Sequence, residues 1–235
     1  MIFFRRINNF NRLLGAIDSK LDRMQRALGR IEQRQVQGLG AKDLLDSEFL
    51  VSSQWGEDGI VQYLVHKVPI ARDIFVEFGV QDYVESNTRF LLQNNNWAGL
   101  VIDSSMEYIS SIRQDPIYWR HNLKAECAFV DKDNISSIIA DNGIAGDIGL
   151  LSIDIDGNDY WVWEAIEGIS PRIVICEYNS TFGPRAKVTT PYEKSFDRTK
   201  AHYSNLYWGA SLGALDLLAK SKGYVLVGSN SAGNN

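Results

Sequence analysis

This 235-residue chain reads as an α/β protein: a doubly wound, mostly parallel sheet preceded by a long N-terminal coiled-coil helix. Three observations lead there. Short, nearly continuous apolar runs of strand length recur after residue 70, stretches with helical spacing separate them, and residues 1–35 carry an unbroken heptad pattern. Strands without polar alternation belong to a parallel sheet covered on both faces, and the intervening helices supply the cover. A composition of 45% apolar and 23% charged residues fits a globular chain and excludes collagen-like, disordered and disulfide-scaffold classes.

The heptad segment comes first. Apolar residues fall at Ile7, Phe10, Leu14, Ile17, Leu21, Met24, Leu28 and Ile31, in alternating steps of three and four. With Ile7, Leu14, Leu21 and Leu28 at a and the others at d, Leu over Ile favours more than two strands, and Leu13 and Ala27 at g widen the stripe. Gly15 and Gly29 fall at outward b positions, each costing about 1 kcal/mol of helix propensity. The helix is therefore expected to be stable in association, as a homo-oligomer through residues 7–31. Residues 1–35 hold eight basic side chains against three acids, a net +5, which leaves −10 for the remainder of a chain whose total is −5. A basic amphipathic helix in peripheral contact with an anionic membrane, or packed on its own domain, is the alternative placement. Nucleic acid is not an expected partner, because the acidic main domain repels phosphates. Residues 36–51, with Gly38 and Gly40, read as a linker, and the main domain spans 52–235.

The apolar opening Met1-Ile2-Phe3-Phe4, followed by Arg5-Arg6, falls far short of the roughly 20 residues of a membrane span and has the wrong charge order for a signal peptide. The two cysteines, Cys127 and Cys176, sit in apolar runs and read as buried thiols of a cytoplasmic protein.

In the main domain a helical pattern runs from Glu57 through Ile60, Val61, Leu64, Val65 and Val68 and stops at Pro69. Strands are expected at Ile74–Phe78, Gly99–Ile102, Ala125–Phe129, Ile148–Ile153, Ile173–Cys176 and Tyr224–Val227. Helices are expected at Asn87–Gln93, Met106–Arg113, Asn134–Ala140 with Asp133 as N-cap, Tyr160–Ile166 and Ala210–Lys222. In such a sheet ligands bind beyond the carboxyl ends of the strands, at the topological switch point.

The first strand ends in Glu77-Phe78-Gly79-Val80-Gln81-Asp82 and the second in Asp103. A dinucleotide site requires several glycines near the pyrophosphate, and only Gly79 is present. An adenosine cofactor without pyrophosphate suits better: Asp103 is placed to accept from a ribose diol, Gly79 lets the chain pass close to the ligand, and Glu77 favours a cationic ligand region. Taken singly, Gly79 is equally a turn glycine and Asp103 a helix cap. The fourth strand leads into Ser152-Ile153-Asp154-Ile155-Asp156-Gly157-Asn158-Asp159 and the fifth into Glu177-Tyr178-Asn179. These hard oxygen donors suit magnesium or calcium, with Asp154, Asp156 and Glu177 as the candidate ligands; helix capping by Asp156 or Asp159 is the alternative. The run is no EF-hand loop, since Ala165 stands where its closing Glu belongs. His202 lies in a long polar segment, Ser180–Asn205, of the length of a lid or binding loop. Tyr203, Tyr207 and Trp208 beside it form a candidate aromatic wall for an acceptor, with Asn179 on the same side.

Ser53-Gln54-Trp55-Gly56-Glu57-Asp58, Phe75–Val80, Ser86-Asn87-Thr88, Trp97–Asp103 and Leu151–Asp159 resemble, in order, the FkbM-type branch of class I S-adenosylmethionine-dependent methyltransferases. The resemblance extends from Ser52 to Gly233, and Tyr207–Leu212 and Gly223–Gly233 are similar to the branch's closing helix and strand. It implies a Rossmann-like methyltransferase sheet, an S-adenosyl-L-methionine site at Glu77, Gly79, Asn87, Thr88, Asp103 and Asp154, and O-methylation of a sugar, polysaccharide precursor or natural-product glycoside. The chain departs from the family in lacking a further glycine in the first loop and in ending at Asn235, where the family adds a final antiparallel strand. In the expected chemistry His202, Asp154 or Asp156 removes the hydroxyl proton, or Mg2+ held by Asp154, Asp156 and Glu177 lowers its pKa. The competing readings are a non-catalytic adenosine-binding scaffold assembled by the coiled coil and a nicotinamide-dependent sugar oxidoreductase.

Overall fold

The computed structural model describes residues 2–39, 43–183 and 185–235; Met1 of the apolar opening and Gly40 of the expected linker lie outside them. The sheet has five parallel strands, β1 (Ile74–Phe78), β2 (Ala98–Asp103), β3 (Leu123–Cys127), β4 (Gly146–Ile153) and β5 (Ile169–Cys176), in the order β3-β2-β1-β4-β5. The chain reverses its direction of build between β1 and β4, which makes that gap the switch point.

Successive strand side chains point to opposite faces, so each strand feeds two apolar layers. On one face Phe75, Val101, Leu150 and Ile173 meet α2 (Glu57–Lys67), α3 (Arg89–Asn95), α4 (Met106–Gln114) and α5 (Pro116–Arg120). On the other, Val76, Phe78, Leu100 and Ile148 meet α6 (Ile135–Asp141), α7 (Asp159–Ala165) and α9 (Leu212–Ser221). The short α8 (Arg198–Ala201) lies in the excursion between β5 and α9. This is the doubly wound α/β architecture that the uninterrupted apolar strands require.

Three local expectations are corrected. Tyr224–Val227 is apolar enough for a strand but exchanges no ladder hydrogen bonds. It runs as irregular chain, with Val225 and Val227 exposed and the Tyr224 hydroxyl donating to the Pro171 carbonyl at 2.7 Å. Asp133 does not cap α6. Asn134 holds that position, and Asp131 instead accepts from the backbone N–H groups of Asp133 and Asn134. The segment read as linker is largely structured: α1 (Ile2–Leu39) continues past residue 35, Val36 is buried, and a 3-10 turn at Leu44–Ser47 is capped by Asp43.

Helix α1 rests on the domain through Arg26, Gly29, Gln33 and Val36. The Gln33 amide joins two other helices, donating to Gln62 of α2 and accepting from Asn94 of α3. Gly29 is the point of closest approach, since a Cβ there would lie 2.4 Å from Val51 Cγ2 and 3.0 Å from the Phe90 ring. Among the described residues no helix is long and apolar enough to cross a membrane.

The two glycines of α1 are therefore unequal. A Cβ at Gly15 meets nothing within 4 Å, so Gly15→Ala is expected to stabilise the helix by up to about 1 kcal/mol. Gly29→Ala is expected to destabilise the docked helix by about 1–3 kcal/mol through overpacking, despite the better propensity of Ala. Thermal denaturation of the two variants, followed by circular dichroism, checks both signs.

Candidate functional site

A cavity of about 640 Å3 opens at the carboxyl ends of β1, β2 and β4, beside the β1–β4 switch point, a size suited to a small-molecule ligand. It is lined by Glu77, Gly79, Asn87, Asp103, Asp154, Asp156, Glu177 and Trp208 of the sequence-derived candidates. Thr88, Asn179, His202, Tyr203 and Tyr207 lie outside its lining.

On the β1 side, buried carboxylates organise the loops. Glu77 accepts from the Ser86 and Thr88 hydroxyls and from the Asn87 and Thr88 backbone N–H groups, which fixes the Ser86–Thr88 turn at the cavity wall. Burial raises its pKa above the ordinary value although these bonds pull it down. Its direct work is on the chain rather than on a ligand, and Thr88 shares that work. The Asn87 side-chain amide donates to Ser152 Oγ at 3.1 Å, which ties the turn to β4. Asp103 joins the first two loops, accepting from Gln81 N–H through one oxygen and from Ser105 N–H through the other, each at 2.8 Å. Gly79 has φ +82°, and a Cβ there would fall 1.4 Å from the Asp154 carbonyl oxygen. The glycine is required by the contact between the β1 and β4 loops, which explains its place without any ligand.

On the β4 side the acids divide. Asp159, at the first turn of α7, accepts from Ile155 and Gly157 N–H at 2.8 and 2.9 Å and so shapes the Asp154–Asn158 loop. Asp156 has φ +57° and turns outward to an ion pair with Arg198. The expected trio of Asp154, Asp156 and Glu177 is therefore corrected: the oxygens that gather within 4.8 Å are those of Asp154, Asp159 and Glu177. Burial first, then the neighbouring carboxylates, raises Asp154 to about 7 and Glu177 to about 11, and burial raises Asp159 to about 6. Glu177 holds its proton and shares a hydrogen bond with Asp154, while its Oε2 is buried without a partner.

The long polar excursion packs firmly over the β4 side. Trp161 Nε1 donates to the Thr190 carbonyl and the Asn158 amide to the Glu193 carbonyl, both at 2.8 Å, and Lys194 pairs with Asp131 at 2.8 Å. The Phe196 ring sits where a Cβ on Gly157 would be, 2.2 Å from that position. Arg198 lies over the Trp208 ring at 5.2 Å. Of the expected aromatic wall only Trp208 reaches the cavity. Tyr203 is 94% exposed, and His202 is exposed and bonded to Ser204 Oγ at 2.7 Å. Asn179 is a bracket that donates to the Leu206 and Trp208 carbonyls.

Several lining residues had no assigned role in the sequence. Gln54, Trp55, Phe196 and Arg198 all face the cavity. Beside them Asp58 accepts from Val51, Ser52 and Ser53 N–H, and Glu57 accepts from Trp55 N–H and from the Asn230 and Asn235 amides. The adjacent Glu57-Asp58 pair at a helix start, after a turn glycine, is the local sign that could have found this clamp.

No protein-family model matches the chain, and no curated protein matches it. Among solved structures, the N-terminal domain of EvdMO1 with SAH bound shares 11% identity, with 83% of this chain and 86% of that chain covered at a TM-score of 0.48. The plantazolicin methyltransferase BamL, in complex with a triazolic desmethylPZN analog and SAH, shares 11% identity over 87% and 76% at 0.40. An S-adenosylmethionine-dependent methyltransferase from Clostridium acetobutylicum ATCC 824 shares 14% over 58% and 56% at 0.38.

The acid cluster carries a pH signature. Carboxyl groups with raised values in the folded chain hold protons that the unfolded chain has already released, so stability falls as pH rises from the ordinary carboxylate range through the raised values. The apparent Tm is expected to fall between about pH 5 and 8, by about 2–4 °C for each kcal/mol lost. Glu177→Gln removes a carboxyl group that keeps its proton in the folded chain and loses it in the unfolded one, and should flatten the profile. Scanning fluorimetry across that range checks this, and a Tm that rises from pH 5 to 8 in the unaltered chain contradicts it.

Proposed function

We propose that this chain is a cytoplasmic S-adenosyl-L-methionine-dependent methyltransferase of FkbM type that methylates a hydroxyl of a sugar, polysaccharide precursor or natural-product glycoside. One observation carries the reading: among the described residues the cavity at the switch point is lined by seven acidic side chains, of which Glu177 keeps its proton, and a single cationic one, Arg198, itself paired with Asp156. Such a lining opposes a pyrophosphate and favours a ligand with positive charge, which counts against the nicotinamide alternative and for a sulfonium. The ordered motif series from Ser53 to Asp159 supports the same choice.

The residues present suit that cofactor. Asp103 has used one lone pair on each oxygen for the chain and retains others for ribose hydroxyls, and Asn87 with the Gly79 backbone forms the adjoining wall. Glu77 and Thr88 contribute by fixing the Ser86–Thr88 turn. Bound S-adenosylmethionine supplies a methyl group on a sulfonium, which is already a competent electrophile. The chain must orient the acceptor and take its proton. Asp154 is suited to the second task, since a carboxylate raised to about 7 accepts a proton near neutral pH, and Glu177 holds it in place. Trp55 and Trp208 offer aromatic faces to a sugar or planar acceptor. No step is assigned to His202, Tyr203 or Tyr207.

A divalent ion at the same acids is a second reading, favoured by the clustering of Asp154, Asp159 and Glu177 oxygens and by the unpartnered Glu177 Oε2. Mg2+ there would lower the pKa of an acceptor hydroxyl, with Asp159 in the place first given to Asp156.

Calorimetry should give binding of S-adenosylmethionine and none of NAD, with Asp103→Ala weakening the affinity about 10-fold or more, as expected for hydrogen bonds to a charged group. Asp154→Asn should retain cofactor binding and lose about 10²–10⁴-fold in turnover, read as methyl gain by mass spectrometry on a glycan acceptor with and without Mg2+. Absence of cofactor binding overturns the proposal. Binding without transfer to any acceptor returns the chain to the adenosine-binding scaffold, and full turnover of Asp154→Asn removes its role as base.

A further inference from the structure

Helix α1 meets the domain with the face its sequence pattern does not favour. The eight apolar a and d residues from Ile7 to Ile31 remain between 39% and 60% exposed. The residues that dock are instead Arg26, Gly29, Gln33 and Val36, at the heptad's b and f positions. At 100° per residue the two faces are centred about 140° apart. The docking that fixes α1 therefore leaves an apolar stripe about 37 Å long in water, a patch of the kind that marks an interaction surface.

The heptad repeat fits a like helix, and the charges beside the stripe set the orientation. The g positions carry Arg6, Lys20 and Arg34, and the e positions carry Asp18 and Glu32. In a parallel, in-register pair each g residue lies beside the partner's e residue five positions on, Arg6 by Asn11, Leu13 by Asp18, Lys20 by Gln25 and Ala27 by Glu32, so no like charges meet at either edge of the seam. Turned antiparallel, g faces g and e faces e, and like charge meets like. A lipid surface fits less well, because Asp18 and Glu32 border the stripe and would be pressed against anionic headgroups. The chain's own domain is already seated on the opposite face.

We infer that α1 associates with the same helix of a second copy of this chain, as a parallel, in-register coiled coil over residues 7–31. Leu13 and Ala27 at g extend the apolar seam at its edge. The helix serves two contacts on two faces, one holding its own domain through Gly29 and the other holding a partner copy through the heptads. This inference stands apart from the methyltransferase reading and survives its failure.

Sedimentation velocity of the full chain at micromolar concentration is expected to give at least twice the 26.5 kDa monomer mass. The double variant Leu14→Asp, Leu21→Asp, altered only on the exposed face, is expected to sediment as a single copy with its domain still folded by circular dichroism. Met24→Cys at a d position tests direction, since mild oxidation should join two copies through residue 24 well above the background from Cys127 and Cys176. A monomeric full chain overturns the inference, and so does a double variant that stays associated. An associated Met24→Cys variant that fails to cross-link overturns the parallel register. A monomer that binds phosphatidylserine vesicles through α1 assigns the stripe to the membrane instead.

Discussion

A parallel sheet gathers the ends of its strands on one edge, where the loops that leave it carry backbone N–H groups with no ladder to enter. In this protein buried carboxylates take those groups. Asp58 holds the turn at Val51–Ser53, Glu77 the turn at Ser86–Thr88, Asp103 the residues Gln81 and Ser105, and Asp159 the residues Ile155 and Gly157. Each buried charge is costly alone and becomes tolerable because several donors converge on it. The cavity exists because these loops are held back from its centre by acids rather than collapsed onto each other by apolar packing.

That constraint also separates the acids by function. A carboxylate surrounded by backbone donors is committed to the loop it holds, and removing it would be felt first as a loss of local structure. Among the described residues, Asp154 and Glu177 are the two strand-end acids of the cavity with no backbone donor on their oxygens. They lie beside Asp159 and are crowded by its charge, so their raised values follow from burial and repulsion with no compensating hydrogen-bond cradle. Perturbed carboxyl groups in a cleft are candidates for chemistry on physical grounds, and here the absence of a structural duty strengthens the case.

The sheet was largely legible because its strands are buried on both faces and read as apolar runs. Ile74–Phe78 is recovered without change, and the other four strands lie within a few residues of their expected spans. Tyr224–Val227 failed because an apolar run becomes a strand only when another strand pairs with it, and pairing is not written in composition. The acids show a subtler limit. Counting along Asp154, Asp156 and Asp159 puts the first two on one side of an extended chain, but the left-handed backbone at Asp156 breaks the alternation. That residue swings to Arg198 and Asp159 comes inward. A single dihedral thus decides which carboxylate faces Glu177. His202 and Tyr203 were read from local polarity, whereas the path of the 189–208 excursion is set by distant contacts such as Trp161 with Thr190 and Phe196 with Gly157. Those contacts bring Arg198 and Trp208 to the cavity and leave the two neighbours in solvent.

The N-terminal helix follows a related logic. In the heptad Gly15 and Gly29 are equivalent, two outward positions of poor propensity, and only the fold distinguishes them by placing Val51 and Phe90 against the second. One of the two helices that α1 docks on is α2, whose Gln62 accepts from Gln33 and whose Asp58, one turn earlier, holds the chain at Val51–Ser53 just before the cavity residues Gln54 and Trp55. One helix of eleven residues therefore connects the docked face of α1 to the rim of the cavity. Because that connection is made by side chains locked on a short rigid element, the direction in which α1 leaves the domain is fixed relative to the cleft. A partner bound along the heptad stripe would meet every copy with its cleft in the same orientation.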